Sequence, residues 1–182
     1  MRIGLISDTH VYHEDDRNVS PEILEAFVGV DLILHCGDIF ALSVLDSLEA
    51  ISPVIAVPGF GDSKSNDHRV EGPTRVVNTD GISIGMIHYI NWPGQSLEQT
   101  DGTLEFPPEP IADVLRGKFD SPVDVVVFGD SHQESITTHE GVLFVNPGSP
   151  YYPMIKLQEG DKGTVAILSI SQGKASAEIL RL

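Results

Sequence analysis

The sequence is poor in cysteine and in positive charge, and it contains no long apolar run. Its single cysteine, Cys36, excludes an intrachain disulfide and points to a reducing compartment. Inside an apolar strand it reads as a small core residue rather than a catalytic thiol. With 11 Lys and Arg against 27 Asp and Glu, the net charge is −16, a field that repels polyanions and argues against nucleic acid as a partner. Most of these carboxylates read as solvated surface, with a minority available to divalent cations. No stretch approaches the roughly 20 apolar residues of a membrane span, and only Met1 stands ahead of the first strand. Neither anchor nor leader is therefore expected, and the expected location is cytoplasmic. A Gly-rich Walker loop, internal repeats and a linker are also missing, which argues against an NTPase and for a single domain over residues 1–182.

What is present is a series of buried strands that end in polar tips. Residues 2–7 form an apolar run that stops at Asp8-Thr9-His10. Ser20 and Pro21 read as the N-cap and first position of a helix whose apolar face is Ile23, Leu24 and Phe27. A strand over 31–36 ends in Gly37-Asp38, a helix covers 41–49, and a strand over 53–58 empties into Gly59-Phe60-Gly61-Asp62. This β-α-β-α-β order predicts parallel strands with covering helices. Asp80-Gly81 sits between strands 74–79 and 82–88 as a hairpin turn, and Glu140-Gly141 and Gln172-Gly173 repeat that pattern later. A helix over 111–119 feeds a strand over 123–128 that ends in Gly129-Asp130-Ser131-His132. His13 with Glu14-Asp15-Asp16 reads as exposed loop, and residues 89–110, rich in Pro and Gly, as one long loop.

Asp8 and His10, Asp38, His88, and Asp130 with His132 thus all follow buried strands. Ligands bind beyond the carboxyl ends of strands in open α/β sheets, so these tips can converge on one pocket. Mixed carboxylate and imidazole donors suit Mn, Fe or Zn better than Ca, which takes oxygen alone. Two such ions about 3.5–4 Å apart can activate water and clamp a phosphoryl group.

At these residues the chain resembles the calcineurin-like metallophosphoesterases, in particular their small prokaryotic phosphodiesterase branch. Ile6-Ser7-Asp8-Thr9-His10 is similar to the first motif of that family, His35-Cys36-Gly37-Asp38 to the second and Ile87-His88 to the fourth. Gly129-Asp130-Ser131-His132 stands where the family has Gly-His-x-His, and Asn146-Pro147-Gly148-Ser149 matches the segment that follows. The resemblance implies a two-sheet α/β sandwich with flanking helices and a pair of divalent cations, manganese first, with zinc, iron, nickel or magnesium as alternatives. It implies Asp8, His10 and His132 on the first ion, Asp38 bridging and His88 on the second, with a metal-bound hydroxide as nucleophile and no side-chain nucleophile. A small phosphoester is the implied substrate, and a homo-oligomer stays open.

Two motifs depart from the family. The third has Phe60 where the family carries an asparagine ligand and Gly61 where its phosphatases carry a histidine; the fifth has Asp130 for a histidine. The second ion could rest on Asp38, His88 and Asp130, Asp62 could swing in, or the second position could be empty; the first arrangement is the expectation, because the Asn loss and the Asp gain fall on the same ion. Without the motif histidine a general-acid contribution of about 10²–10⁴ is lost, which favours diesters with good leaving groups. His68 is a remote substitute acid. Tyr89, Asn91 and Trp92 follow a ligand and are substrate-binding candidates, with core packing, a subunit contact or a turn as the plainer readings. His35 reads as a hydrogen-bonded core residue and His139 as surface. The rival to a phosphodiesterase is a catalytically impaired interaction module on the same fold, for which Phe60 is the argument; a nuclease is disfavoured by charge.

Overall fold

The computed structural model describes residues 1–12, 19–62, 66–94, 96–153 and 162–182. His13 and the acidic cluster at 14–16 lie outside the described residues. Two five-stranded sheets face each other. The first has the order β12-β11-β1-β2-β3, from β1 (Arg2–Ile6), β2 (Leu32–His35), β3 (Val54–Ala56), β11 (Thr164–Ser171) and β12 (Lys174–Arg181). The second runs β4-β5-β8-β10-β9, from β4 (Thr74–Thr79), β5 (Ile82–Ile87), β8 (Val125–Val127), β9 (Ser135–His139) and β10 (Val142–Asn146). Each sheet contains a parallel three-strand unit: β1-β2-β3 at one edge of the first, with antiparallel β11 and β12 on its other side, and β5-β8-β10 in the middle of the second, flanked by antiparallel β4 and β9.

Alternation along the strands explains the layers. Ile3 and Leu5 of β1, Leu32 and Leu34 of β2, and Ile84 and Met86 of β5 point into the space between the sheets, where Val125, Val127, Ala166 and Leu168 meet them. The opposite face of the first sheet, with Ile33, Val54, Val165 and Ile167, is covered by α1 (Pro21–Ala26) and α2 (Ser43–Glu49) through Ile23, Phe27, Leu45 and Leu48. The outer face of the second sheet packs Val126, Phe128 and Phe144 under α3 (Ile111–Phe119) through Ile111, Leu115 and Phe119. Two mid-strand glycines seat the covering rings: a Cβ on Gly4 would stand 2.8 Å from the Phe27 ring, and one on Gly85 would stand 2.8 Å from that of Phe119. The fold is thus the expected two-sheet α/β sandwich with flanking helices.

One expectation fails. Residues 89–110 are not a single loop: Glu98–Thr100 (β6) and Thr103–Glu105 (β7) form a third, two-stranded sheet. Its turn, Asp101-Gly102, has both residues at positive φ, the same turn chemistry as at Asp80-Gly81. Ser20 takes the N-cap position of α1 but makes no side-chain cap bond; its backbone N–H instead donates to the Tyr151 hydroxyl at 2.9 Å.

Candidate metal centre

Parallel strands deliver their carboxyl ends to one edge, so the tips of β1, β2, β5 and β8 meet where the two sheets come together. Beyond the strands the backbone pairing continues: Asp8 N–H donates to Gly37 O at 2.9 Å, His10 N–H to Asp38 O at 3.0 Å, and Gly129 N–H to His88 O at 2.9 Å. Gly37 lies at φ +95°, and a Cβ there would stand 2.8 Å from the His88 ring, so this approach of the two sheets requires glycine. Asp8, His10, Asp38, Asp130 and His132 all adopt positive φ. Asp and His visit this region more readily than most residues, but each does so at a cost, and such positions gather at functional sites.

The donor atoms converge. Asp8, His10 and His132 bring one ligand atom each within 4.8 Å of one another, and so do Asp8, Asp38 and His88. Asp8, fully buried, belongs to both triads: its Oδ1 lies 3.9 Å from His10 Nε2, 3.6 Å from His132 Nε2 and 4.0 Å from His88 Nε2. Asp38 Oδ2 lies 3.6 Å from His10 Nε2 and 3.5 Å from His88 Nε2, so this carboxylate also stands between the triads. Its Oδ1 is fixed by the Gly61 N–H at 3.0 Å. Asp130 belongs to neither triad; its Oδ1 faces His88 Nε2 at 3.7 Å while its backbone N–H donates to both oxygens of Asp8 at 3.2 Å.

Two of the three imidazoles, His88 and His132, are held by their other nitrogen. A carbonyl can only accept, so His88 Nδ1–H donates to Cys36 O at 2.7 Å and His132 Nδ1–H to Tyr152 O at 2.7 Å. Both Nε2 atoms are thereby turned toward the cluster, as in ligated histidines whose outer nitrogen is anchored. His88 Nε2 is buried and has no hydrogen-bond partner, and His10 Nε2 and His132 Nε2 stand 3.0 Å apart. Burial alone would lower the His88 pKa, but the Asp38 carboxylate 3.5 Å from its Nε2 and the charge of Asp8 raise it to about 9. Burial raises Asp8 to about 6 and also raises Asp130. Such mutual frustration of buried acids and bases is what a bound cation relieves.

Asp62 cannot swing in as a ligand. Its Oδ1 accepts from Ile39 N–H at 2.8 Å and Phe40 N–H at 2.7 Å, and its Oδ2 from Gly59 N–H at 2.8 Å. Three backbone donors consume the carboxylate, which braces the loop. Phe60 projects into solvent beside the cluster, its ring centroid 6.0 Å from His88 and 5.4 Å from Tyr89. Pro58, Phe60, Pro73, His88, Tyr89 and Trp92 line a cleft of about 120 Å³. Asn91 is not in that lining; its amide donates to the Tyr89 hydroxyl at 3.4 Å. His68 is 86% exposed, 3.8 Å from Asp67, and outside both triads. His35 is buried and neutral, held well below the usual imidazole range by burial, between the Gly37 N–H and the Thr9 hydroxyl. His139 stacks on Phe106 at 3.9 Å.

Residues 1–173 match the calcineurin-like phosphoesterase superfamily domain. The chain belongs to that superfamily. A probable metallophosphoesterase of Methanothermobacter thermautotrophicus is 32% identical over 184 residues, covering 100% of this chain and 92% of the relative. A phosphodiesterase of Methanocaldococcus jannaschii is 26% identical over 81% of this chain and 83% of its own length. Vps29 of Entamoeba histolytica, solved in complex with zinc, shares the fold, with a TM-score of 0.66, 20% identity and coverage of 100% of this chain and 99% of that one. The calcineurin-like family is divalent-metal dependent, and among the described residues the two triads are groups that could hold such ions.

Several contributors escaped the sequence reading. Gln99 of β6 clamps the loop after β8: its Oε1 accepts from the Ser131 hydroxyl at 2.7 Å and Asn146 Nδ2 at 2.8 Å, and its Nε2 donates to Gln133 O at 3.0 Å. Ser149 donates its hydroxyl to Asp8 O at 2.8 Å. Tyr12 and Tyr152 join His10 and His132 around a second cavity of about 410 Å³, and Phe40 packs 5.1 Å from His10. A larger groove of about 690 Å³ between β6–β7 and α3 contains carboxylates but no imidazole, so the chemistry is placed at the triads.

Proposed function

We propose that this metallophosphoesterase is a divalent-metal-dependent phosphodiesterase acting on a small phosphodiester. The observation that carries the reading is the pair of triads joined at Asp8, with the buried, unpartnered His88 Nε2 aimed at three carboxylates. The donor set fits two cations of the manganese or zinc type, one on Asp8, His10 and His132 and one on Asp8, Asp38 and His88. When bound, such ions supply an activated water and neutralise charge on the phosphoryl oxygens. Asp38, fixed by Gly61, lies between His10 and His88 and would present its Oδ2 to ions held there. Asp130 adds a carboxylate facing His88 and, through its N–H, orients Asp8.

Hydrolysis adds water across one P–O ester bond: the water oxygen bonds to phosphorus, one proton of the water ends on the released alcohol, and a monoester remains. Among the described residues, every imidazole lining the two cavities is a member of a triad, so no free histidine protonates the leaving alkoxide. The reaction is therefore fastest for acidic alcohols. A cytoplasmic setting suits the single buried thiol.

The test is hydrolysis of bis(4-nitrophenyl) phosphate with Mn, Ni, Mg or Zn, together with a metal count. Activity with two ions per chain, reduced to one by His88→Ala, is expected. An inactive parent that becomes active as Phe60→Asn would instead favour a degenerate site. In that case the exposed rings beside the cluster support the second reading, an interaction module on the same fold.

A further inference from the structure

Among the described residues six large apolar side chains are prominently exposed, and four of them are the aromatics Tyr12, Phe60, Trp92 and Tyr152, at 62, 73, 48 and 51%. Val28 and Ile136 are the remaining two, single residues of the kind any surface carries. The four rings gather at the two cavities, and each cavity adjoins one triad. On the His88 side stand Phe60, Tyr89 and Trp92. On the His10 and His132 side stand Tyr12, Phe40 and Tyr152, with Tyr152 edge-on to His10 at 5.6 Å and Tyr12 4.6 Å from Phe40.

One loop builds both walls. Phe60 itself forms part of the first. Gly61 lies beneath the second, where a Cβ would come 2.2 Å from Phe40 Cζ, so only glycine lets the Phe40 ring lie flat there. Asp62 then pins the Phe40 backbone, at φ +67°, through its Oδ1. Residues 60–62 therefore place rings beside both triads, and none of them offers a ligand atom to either.

We propose that the site selects phosphodiesters carrying a planar ring on each alcohol arm, with residues 60–62 as the specificity element. The inference rests on the phosphodiesterase reading above and names its substrate class. A ring on one arm enters the 120 Å³ cleft, comparable to the roughly 150 Å³ cavity that admits benzene. The second arm lies in the 410 Å³ groove, which falls in the ordinary size range for a ligand pocket. Stacking on aromatic walls is tolerant of ring identity. A net charge of −16 admits a diester with a single phosphate and repels the polymer, so the natural form consistent with the field is a dinucleoside monophosphate or a small diaryl diester. A protein partner fits less well: the rings flank a nest of carboxylates, and charged groups are depleted from the cores of protein interfaces.

Trp92 is the only tryptophan, so its emission reports on the cleft. The zinc-loaded full chain is titrated with diphenyl phosphate, a phosphorothioate-linked dinucleoside and diethyl phosphate. At least one ring diester is expected to bind about tenfold or more tightly than diethyl phosphate, and the tighter of the two identifies the source. Phe60→Leu and Tyr152→Leu, both at exposed positions and checked for an unchanged melt, should each reduce that preference. Equal binding of diethyl phosphate, a preference that survives both substitutions, or no binding of either ring diester would overturn the proposal. The phosphodiesterase reading is scored separately: equal kcat/KM for ethyl 4-nitrophenyl and bis(4-nitrophenyl) phosphate removes the ring selectivity and leaves hydrolysis standing. Ring-selective binding without turnover on any metal does the reverse.

Discussion

At the residue scale, the site is built from side chains whose backbone would prefer to be elsewhere. Asp130 sits at φ +70°, a conformation costing an L-residue roughly 1–2 kcal/mol, and its side chain is 37% exposed beside Asp38 and His88. Asp130→Gly should therefore raise the stability of the chelated protein by up to about 1 kcal/mol while weakening the second ion. Chemical denaturation in chelator and a metal titration measure the two effects; loss of stability together with unchanged metal binding would show that Asp130 is structural only. Asp62 gives the opposite case. Its carboxylate takes three backbone N–H groups, and Asp62→Ala leaves all three unpaired, at a cost of about 3 kcal/mol. Asp62→Asn, with its oxygen in the Oδ1 position, keeps two of the three bonds and should cost about half as much. The presence of Asp8, His10, Asp38, His88 and His132 at strand ends was readable in the sequence because each follows an apolar run. Their left-handed backbone, the sharing of Asp8 by both triads and the bracing role of Asp62 were not readable, since they depend on contacts between segments 20 to 120 or so residues apart.

At the element scale, apolar runs and turn residues located the parallel strands and the Asp80-Gly81 hairpin, because burial on both faces and a positive-φ turn leave clear marks. The β6–β7 hairpin was missed although Asp101-Gly102 carries the same turn signal. Its strands are three residues each, Glu98-Gln99-Thr100 and Thr103-Leu104-Glu105, with too few apolar positions to alternate, and prolines follow closely. What the hairpin does is legible only in three dimensions. Gln99 anchors the loop that carries Asp130 and His132, and the Gln133 side chain accepts in return from the Gly102 N–H. Gln99→Leu removes its bonds to Ser131, Asn146, Gln133 and Ser135 and should destabilise by about 2–3 kcal/mol, a fall of roughly 4–12 °C in Tm. It should also speed amide exchange at 129–133 and loosen the first ion. Exchange and metal affinity equal to the parent would reduce the hairpin to a cover over the core.

At the scale of the whole molecule, two sheets each bring part of one site, and an acidic chain holds it together. In the metal-free protein Asp38 and Asp8 raise the proton affinity of His88, and that fixes the sign of its pH dependence. His88 is raised from 6.5 to about 9, so its contribution to stability is complete below pH 6.5 and is lost as the pH climbs through 9. Asp8, His35, His10 and Lys118 act outside the interval between about 6.5 and 8. Asp8, raised by burial to about 6, exchanges its proton below it; His35, lowered by burial to about 3, also acts below it, and His10 is lowered as well. Lys118, lowered by burial to about 8, acts above it and adds stability as the pH rises. Within that interval the chelated chain should therefore lose on the order of 1 kcal/mol per pH unit, roughly 2–4 °C in Tm. Bound metal reverses the slope, because ligands must shed their protons to coordinate, so saturating manganese stabilises more at pH 8 than at pH 6.5. Melts at both pH values, with chelator or manganese, should cross, and His88→Ala should flatten the chelated pair. Parallel curves in the parent would mean that His88 does not carry the proton that a cation displaces.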